Sequence, residues 1–275
     1  MIFRVPADLH LHTTASDGTW SLPEVINMAE ACGLTTISIT DHDTVDALTT
    51  LSTSHTGLEI IAGIEFGTEY SSHEVHILGY GIDISNRALL KTLETLKAER
   101  ESRARAMVER LNELGCSITF SRVKELAGPG TIGRVHIAQA LMGAGYTQSV
   151  REGFSRYLEI NGPAYVPRKK LTIRNAIELI KGAGGVPVLA HPGLVGDDQL
   201  VKDVINMGVL GLEVIHSSHD RWQTGKYYRM ARQMQVVPTG GSDCHGPQGK
   251  DKALIGKYAI PDTWVRELKD LMAVS

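Results

Sequence analysis

Nine histidine and acidic residues stand at or near the ends of short apolar runs, although the chain holds only 11 histidines in 275 residues. Mixed imidazole and carboxylate groups are ligands for manganese, iron(II) or zinc. Packed together without an ion, such groups would each cost several kcal/mol if charged and unpaired. Nine ligands are more than one ion can bind, and they suit two or three ions. The predicted ligands are His10, His12, Asp17, His42, Glu65, His76, His191, Asp243 and His245.

Apolar strand-like runs alternate with helical patterns along most of the chain, which is typical of a largely parallel sheet with helices outside it. In such a sheet the carboxyl ends of the strands meet at one edge. His42 follows the run Thr36–Thr40, and His191 follows Val186–Ala190. His76 lies near the start of its run, so we predict that Glu74–Tyr80 returns antiparallel to Glu65–Tyr70. The fold class predicted is α/β, with enough strands to close a barrel.

One long helical pattern, Arg87–Leu114, has an apolar stripe that is broken at Arg100 and Arg103. The break predicts that this helix leaves the main body near residue 100. From there to about residue 163 the patterns are helical and none is convincingly strand-like. We therefore predict three parts: the first part of the barrel at 1–100, a small helical insertion that caps the substrate at 101–164, and the second part of the barrel at 165–275.

Composition limits the partners and the compartment. The 28 basic and 31 acidic residues give a net charge of −3, which excludes the basic field that long duplex nucleic acid requires. The three cysteines form neither a disulfide framework nor a CxxC zinc pattern. We find no apolar run long enough for a membrane span and no signal peptide. These features predict a reduced, cytoplasmic protein with no membrane association and no obligate protein partner.

Basic residues near the ends of the insertion are candidates for binding phosphate. Arg134 follows Gly128-Pro-Gly130 and is predicted to open a helix, whose N-terminus together with a guanidinium favours phosphate. Arg168, Lys169 and Lys170 follow the insertion. Clustered ions suit hydrolysis of a phosphate ester, but amide hydrolysis uses similar sites. Two more histidines, His216 and His219, are candidate substrate contacts or proton donors.

The motifs resemble those of the PHP (polymerase and histidinol phosphatase) family, in order and over nearly the whole chain. That resemblance implies a distorted (β/α)7 TIM-like barrel with a trinuclear centre, usually of manganese, iron or zinc. The matching motifs are His10-x-His12, Asp17-Gly18, Thr40-Asp41-His42-Asp43, Gly63-Ile-Glu65, His76, Leu189-Ala-His191-Pro192 and Gly241-Ser-Asp243-x-His245.

The resemblance also implies how the ligands divide among three ions. The first ion would be held by His10, His12, Glu65 and Asp243. The second would be held by Glu65, His76 and His191, so that Glu65 bridges the two. Asp17, His42 and His245 would hold the third.

Two further stretches are similar to one branch of the family, the bacterial 3′,5′-nucleotide bisphosphate phosphatases, a branch that includes a 5′-to-3′ exoribonuclease. They are residues 131–138, around Arg134, and 213–219, around His216. His216-Ser217 departs from the His-Pro that relatives often have. The resemblance implies removal of the 3′-phosphate from adenosine 3′,5′-bisphosphate, or cleavage of the same bond in short 5′-phosphorylated RNA. Arg134, Lys169 and His219 would anchor the 5′-phosphate.

The expected mechanism is attack on phosphorus by a hydroxide that bridges two ions, in line with the 3′ oxygen. In this mechanism Glu65 and Asp243 hold the ions, while Arg134 and His216 contact the phosphoryl groups. The general acid is left open between a histidine and a water. Three alternatives are kept: a histidinol phosphatase, a non-catalytic metal-binding module, and a metal-dependent amidohydrolase.

Overall fold

The computed structural model describes residues 7–51, 57–71, 73–128, 130–167, 171–247 and 254–274. Within these ranges seven strands form one sheet whose spatial order is the order of the chain. The strands are β1 Ala7–Leu11, β2 Thr36–Ile39, β3 Glu59–Tyr70, β4 His73–Tyr80, β5 Val186–Leu189, β6 Gly211–Ile215 and β7 Val237–Gly240.

Neighbouring strands pair in parallel except on the two sides of β4, which runs antiparallel to both β3 and β5. The predicted hairpin is confirmed, since Gly67 on β3 pairs with His76 on β4. Glu65, however, does not begin its strand, because it lies within β3, a single strand of 12 residues. The charge of Glu65 interrupts the apolar sequence pattern, but the strand continues. The charge is tolerated inside the strand because several imidazoles surround it.

The sheet closes into a nearly complete barrel through the segment that follows β7. The His12 amide donates to the Cys244 carbonyl at 3.1 Å, and the Asp243 amide donates to the His10 carbonyl at 2.9 Å. At the other end the Ile260 amide donates to the Ala7 carbonyl at 2.8 Å. The result is the distorted TIM-like barrel that the sequence predicted, with the ends of six parallel strands at one rim.

Helices cover the barrel and form the region between β4 and β5. They are α1 Leu22–Ala31, α2 Arg87–Glu113, α3 Phe120–Ala127, α4 Arg134–Gly143, α5 Val150–Gly153, α6 Ile173–Gly182, α7 Pro192–Val195, α8 Asp198–Asn206, α9 Arg221–Gln233 and α10 Asp262–Met272. Helix α5 continues into a π-helical turn, Phe154–Leu158. The short helix α7 was not predicted, since four residues do not establish a helical period. No described helix has the length and apolar content to cross a membrane.

Helix α2 takes part in two hydrophobic clusters. Its first half, with Leu89 and Leu96, packs into the barrel cluster. Its second half, with Met107 and Leu111, packs into a second cluster with α3, α4 and the π-helical turn. The change occurs where Arg100 and Arg103 interrupt the apolar stripe. The exact boundaries of the insertion at residues 101 and 164 stay a prediction, which this second cluster supports.

Candidate metal centre

The structure brings all nine predicted ligands together at the barrel rim. The strands place them there, because each lies at the end of a strand or in the loop that follows, apart from Glu65 within β3 and His76 within β4. We call these nine residues the rim cluster: His10, His12, Asp17, His42, Glu65, His76, His191, Asp243 and His245.

Glu65 lies at the centre of the rim cluster. Its Oε1 is 2.8 Å from His76 Nδ1 and 3.0 Å from His191 Nε2. Its Oε2 is 3.0 Å from His42 Nδ1 and 3.3 Å from the Nε2 atoms of both His10 and His12. The side chain is only 1% exposed. One carboxylate therefore reaches five imidazoles, and each of its oxygens faces a different set.

Four ligand atoms form a compact cage: the Nε2 atoms of His10 and His12, Glu65 Oε2 and Asp243 Oδ1. The imidazole nitrogens lie 3.1–3.3 Å from the two carboxylate oxygens. Bonds of about 2.1 Å to one ion place neighbouring ligand atoms roughly 3.0–3.4 Å apart in octahedral or tetrahedral geometry. The two Nε2 atoms and Glu65 Oε2 have no hydrogen-bond partner among the described residues. The donor set and its spacing therefore fit a divalent metal ion.

Two further groups of ligand atoms lie beside this cage. His12, Asp17, His42 and His245 offer atoms within 4.8 Å of one another, and so do His42, Glu65 and His76. His245 Nε2 is 3.2 Å from Asp17 Oδ1. A group that was not predicted joins His10, His216 and Glu213, a residue buried in β6. The rim cluster can thus hold more than one ion.

The carboxylates of the rim cluster stabilise positive charge beside them. Burial would raise the pKa of Glu65, yet His42, His10 and His76 hold it well below its usual range. Burial would lower the pKa values of His76 and His245, yet Glu65 beside the first and Asp17 beside the second raise both to about 10. Divalent ions would supply the charge that these protons otherwise bring.

Neighbouring acceptors fix which nitrogen of a ligand imidazole is free. Glu213 Oε1 lies 3.0 Å from His10 Nδ1, so that Nδ1 donates its proton and the Nε2 lone pair faces the cage. The Asp243 carbonyl lies 3.0 Å from His245 Nδ1 in the same way, which turns the Nε2 lone pair toward Asp17. Such outer partners orient metal ligands and raise their basicity.

Three buried carboxylates that support the rim cluster were missed in the sequence. Besides His10, Glu213 accepts the His191 amide at 2.7 Å. Asp41 accepts the Thr13 amide and hydroxyl, both at 2.7 Å, and so holds the loop that carries Asp17. Asp8 accepts the Ser242 amide at 2.8 Å next to Asp243. The available signal was an acidic residue inside or directly after an apolar strand run, because such a charge must be compensated.

A cavity of about 170 Å³ extends from the rim cluster to three arginines. Three residues of the rim cluster, Asp17, His42 and His76, line it. Three arginines also line it, Arg100 and Arg103 from α2 and Arg134 from α4, and we call these three the arginine wall. Arg134 is the first residue of α4, as the sequence predicted. The cavity therefore joins metal ligands to three guanidinium groups.

The three arginines differ in how they are held. Arg100 donates from Nε to Asp43 Oδ2 at 2.8 Å, directly beside the ligand His42. Arg103 donates to the Val166 carbonyl at 2.7 Å. Arg134 donates to the Leu158 carbonyl at 3.2 Å and lies 3.7 Å from a carboxylate oxygen of Glu74. Its side chain is 23% exposed, so it can still reach a ligand in the cavity.

The remaining predicted substrate residues have different positions. His216 is buried, with Nε2 at 3.3 Å from Asp243 Oδ2, and its Nδ1 accepts the Ser218 amide at 3.0 Å. His219 has both ring nitrogens in hydrogen bonds, one to the Val214 carbonyl at 2.9 Å and one from the Gly193 amide at 3.0 Å. In this conformation His219 therefore has no free ring nitrogen for the predicted contact with substrate. Lys169 lies outside the described residues, as do Arg168 and Lys170.

The chain is similar to several known proteins. The pattern that defines the PHP domain matches residues 8–166. The chain is 32% identical to the 5′-3′ exoribonuclease Rnm of Escherichia coli over 254 residues, 89% of this chain and 87% of that protein. It is 32% identical to the 3′,5′-nucleoside bisphosphate phosphatase of Chromobacterium violaceum over 248 residues, 87% of each.

A solved structure of similar shape comes from Bifidobacterium adolescentis and is described as a metal-dependent phosphoesterase. It superimposes with a TM-score of 0.88 at 31% identity and covers 97% of this chain and 96% of its own. The chain therefore belongs to the PHP domain family, and it is a metal-dependent phosphoesterase of that family.

Proposed function

We propose that this enzyme removes the 3′-phosphate from nucleoside 3′,5′-bisphosphates and cleaves the same bond in short 5′-phosphorylated RNA. One observation carries the proposal: the same cavity of about 170 Å³ is lined by metal ligands and by the arginine wall. A substrate with two phosphates matches this division, since one phosphate faces the rim cluster and the other faces the guanidinium groups. The names of the two relatives point to the same substrates.

We further propose that the rim cluster holds two or three divalent ions, with manganese as the first candidate and iron(II) or zinc as the others. His10, His12, Glu65 and Asp243 would hold one ion, and Asp17, His42 and His245 another. His76 and His191 would hold a third together with Glu65. Divalent ions at such a site lower the pKa of water and neutralise charge on the phosphoryl oxygens.

The residues around the ions bind and orient the substrate. Arg134 anchors the 5′-phosphate, because its side chain lines the cavity, is 23% exposed and donates to a carbonyl, and α4 adds its N-terminal dipole. His216 keeps its proton on Nε2, since Nδ1 accepts the Ser218 amide, and directs it at Asp243 Oδ2. His216 therefore positions a carboxylate of the rim cluster. Residues 101–164, which carry Arg103 and Arg134, cap the substrate.

Histidinol phosphatase activity is the alternative that the cavity favours less. Its substrate has one phosphate and would bring no second phosphate to the guanidinium groups of the arginine wall. The enzyme is further proposed to act in the cytoplasm without an obligate protein partner, in keeping with three free cysteines.

Phosphate and nucleotide release decide between these activities. The purified enzyme, with manganese added, is given adenosine 3′,5′-bisphosphate, a 5′-phosphorylated RNA pentamer and histidinol phosphate in parallel. We expect turnover of the first two and none of the third. Turnover of histidinol phosphate alone would overturn the proposal. Repeating the assay after chelation, with manganese, iron(II) or zinc restored in turn, tests the metal.

A further inference from the structure

A second cavity adjoins the one that the arginine wall lines. It has a volume of about 510 Å³ and runs between the barrel loops and helices α4 and α5. Asp17 and Val135 line both cavities, so that the two meet at a ligand of the rim cluster. We call this second cavity the distal cleft.

The walls of the distal cleft suit a nucleoside. Met142, Val150 and Pro247 offer apolar surface against which a base can lie, while Gln139 and Gln148 offer amide groups that can pair with base edges. Arg151, exposed on α5, adds a cation for a further phosphate. The volume falls within the range of small-ligand pockets, roughly 300–1,000 Å³.

The chemistry of the two proposed substrates differs at one place. In both, water adds to phosphorus, the bond from phosphorus to the 3′ oxygen breaks, and a proton ends on that oxygen, which leaves as a hydroxyl. In the bisphosphate, inorganic phosphate departs. In RNA, the phosphate stays on the 5′ oxygen of the next nucleoside, which must therefore lie beside the rim cluster and away from the arginine wall.

The distal cleft is where such a nucleoside can go. With the 5′-phosphate on the arginine wall and the scissile phosphate at the rim cluster, the chain continues past the most exposed ligand, Asp17, whose side chain is 25% exposed. We propose that the distal cleft binds the nucleotide on the 3′ side of the scissile phosphate in a 5′-phosphorylated oligoribonucleotide. This inference rests on the proposed function. It implies that both substrates occupy the rim cluster and the arginine wall, but that only the RNA also occupies the distal cleft.

Two variants test the cleft without touching the rim cluster or the arginine wall. Gln139→Trp fills it, and Arg151→Ala removes its cation. Gln233→Trp, on an exposed position of the outer helix α9, is the matched control for a new indole. For each protein we measure kcat and KM with adenosine 3′,5′-bisphosphate and with a 5′-phosphorylated RNA pentamer. We also measure the Kd of a 5′-phosphorylated dinucleotide with a methylenephosphonate link, which resists hydrolysis.

For Gln139→Trp we expect kcat/KM on the pentamer to fall at least 10-fold, mostly through KM, and the dinucleotide Kd to rise by a similar factor. Arg151→Ala should raise the pentamer KM about threefold. Turnover of the bisphosphate should stay within twofold, which also shows that the variants fold. Equal losses on both substrates, or no loss on either, would overturn the inference while leaving the proposed function in place. An unaltered enzyme that hydrolyses the bisphosphate but not the pentamer would also overturn it. Failure on both substrates would remove the proposed function itself.

Discussion

The rim cluster and the arginine wall face the same cavity but are held in different ways. His10 and His12 have fully buried side chains, and Glu213 fixes the ring of His10 from behind. Arg134 is 23% exposed and lies near Glu74, whose side chain is 37% exposed. A side chain that is locked by packing and by a supporting hydrogen bond is positioned more precisely than one that is partly exposed. From this difference we expect the barrel to fix the chemistry and the insertion to carry substrate choice.

The largest effect should come from the centre of the rim cluster. Glu65→Gln replaces a carboxylate that reaches five imidazoles with a neutral amide. We expect kcat/KM to fall by about 1,000-fold or more, roughly 4 kcal/mol of barrier, on every substrate alike. Metal analysis of the purified variant should show lost occupancy. The control is Glu69→Gln, four residues further along β3 at an exposed position. A loss confined to one substrate would mean that Glu65 contacts substrate, and the comparison would fail.

The next largest effect concerns the stability of the two regions, which share helix α2. Leu89 is fully buried in the barrel cluster and Leu111 is fully buried in the second cluster. Each Leu→Ala variant should cost about 2–5 kcal/mol of unfolding free energy locally. Hydrogen exchange should show the loss in α3 and α4 for Leu111→Ala, with the strands still protected, and in the strands for Leu89→Ala. Uniform loss of protection in both variants would show a single cooperative unit.

The same contrast separates what the sequence predicted from what it did not. The rim cluster could be found because strand ends repeat a simple rule, a ligand directly after an apolar run, and because strands must gather at one rim. The break in α2 could be found because Arg100 and Arg103 occupy the helical positions at which the leucine stripe would otherwise continue. Each of these features can be read from a few neighbouring residues, and the fold then brings the residues together.

The supporting residues could not be found in the same way. Glu213 was passed over because a glutamate within an apolar strand has no local feature that says which imidazole it contacts; that contact joins residues 203 positions apart. His219 was expected at the substrate, yet both of its nitrogens bind backbone groups that only the fold brings near. Long-range hydrogen bonds thus decide roles that residue type leaves open.

A more selective loss is expected at the arginine wall. Arg134→Ala should lower kcat/KM about 100-fold on substrates that carry a 5′-phosphate, because a charge-assisted contact is removed. A simple phosphomonoester such as p-nitrophenyl phosphate should be hydrolysed within about threefold of the unaltered rate. Arg134→Lys should restore part of the loss, since the charge returns without the two-pronged geometry. Arg122→Ala, on the exposed face of α3, is the control. An equal loss on the simple ester would place Arg134 in the chemistry rather than in substrate choice.

The smallest of these effects lies behind the rim cluster, at Glu213. Burial would raise the pKa of this carboxyl group, yet His10 and His216 hold it below its usual range, so it is ionised and accepts from two donors at once. Glu213→Gln keeps the shape but loses the charge and leaves one of those donors facing an amide group. We expect a 10- to 100-fold weaker metal affinity, which equilibrium dialysis against manganese would measure. At saturating manganese kcat should largely recover, and it should do so equally on both substrates.

Recovery at high metal concentration would distinguish this position from Glu65, where saturation cannot replace a missing ligand. Glu178→Gln, on the exposed side of α6, should change neither property. An affinity unchanged by Glu213→Gln would mean that the barrel strands alone orient His10, and that the precision of the rim cluster owes nothing to the carboxylate behind it. The contrast with the arginine wall would then rest on burial alone.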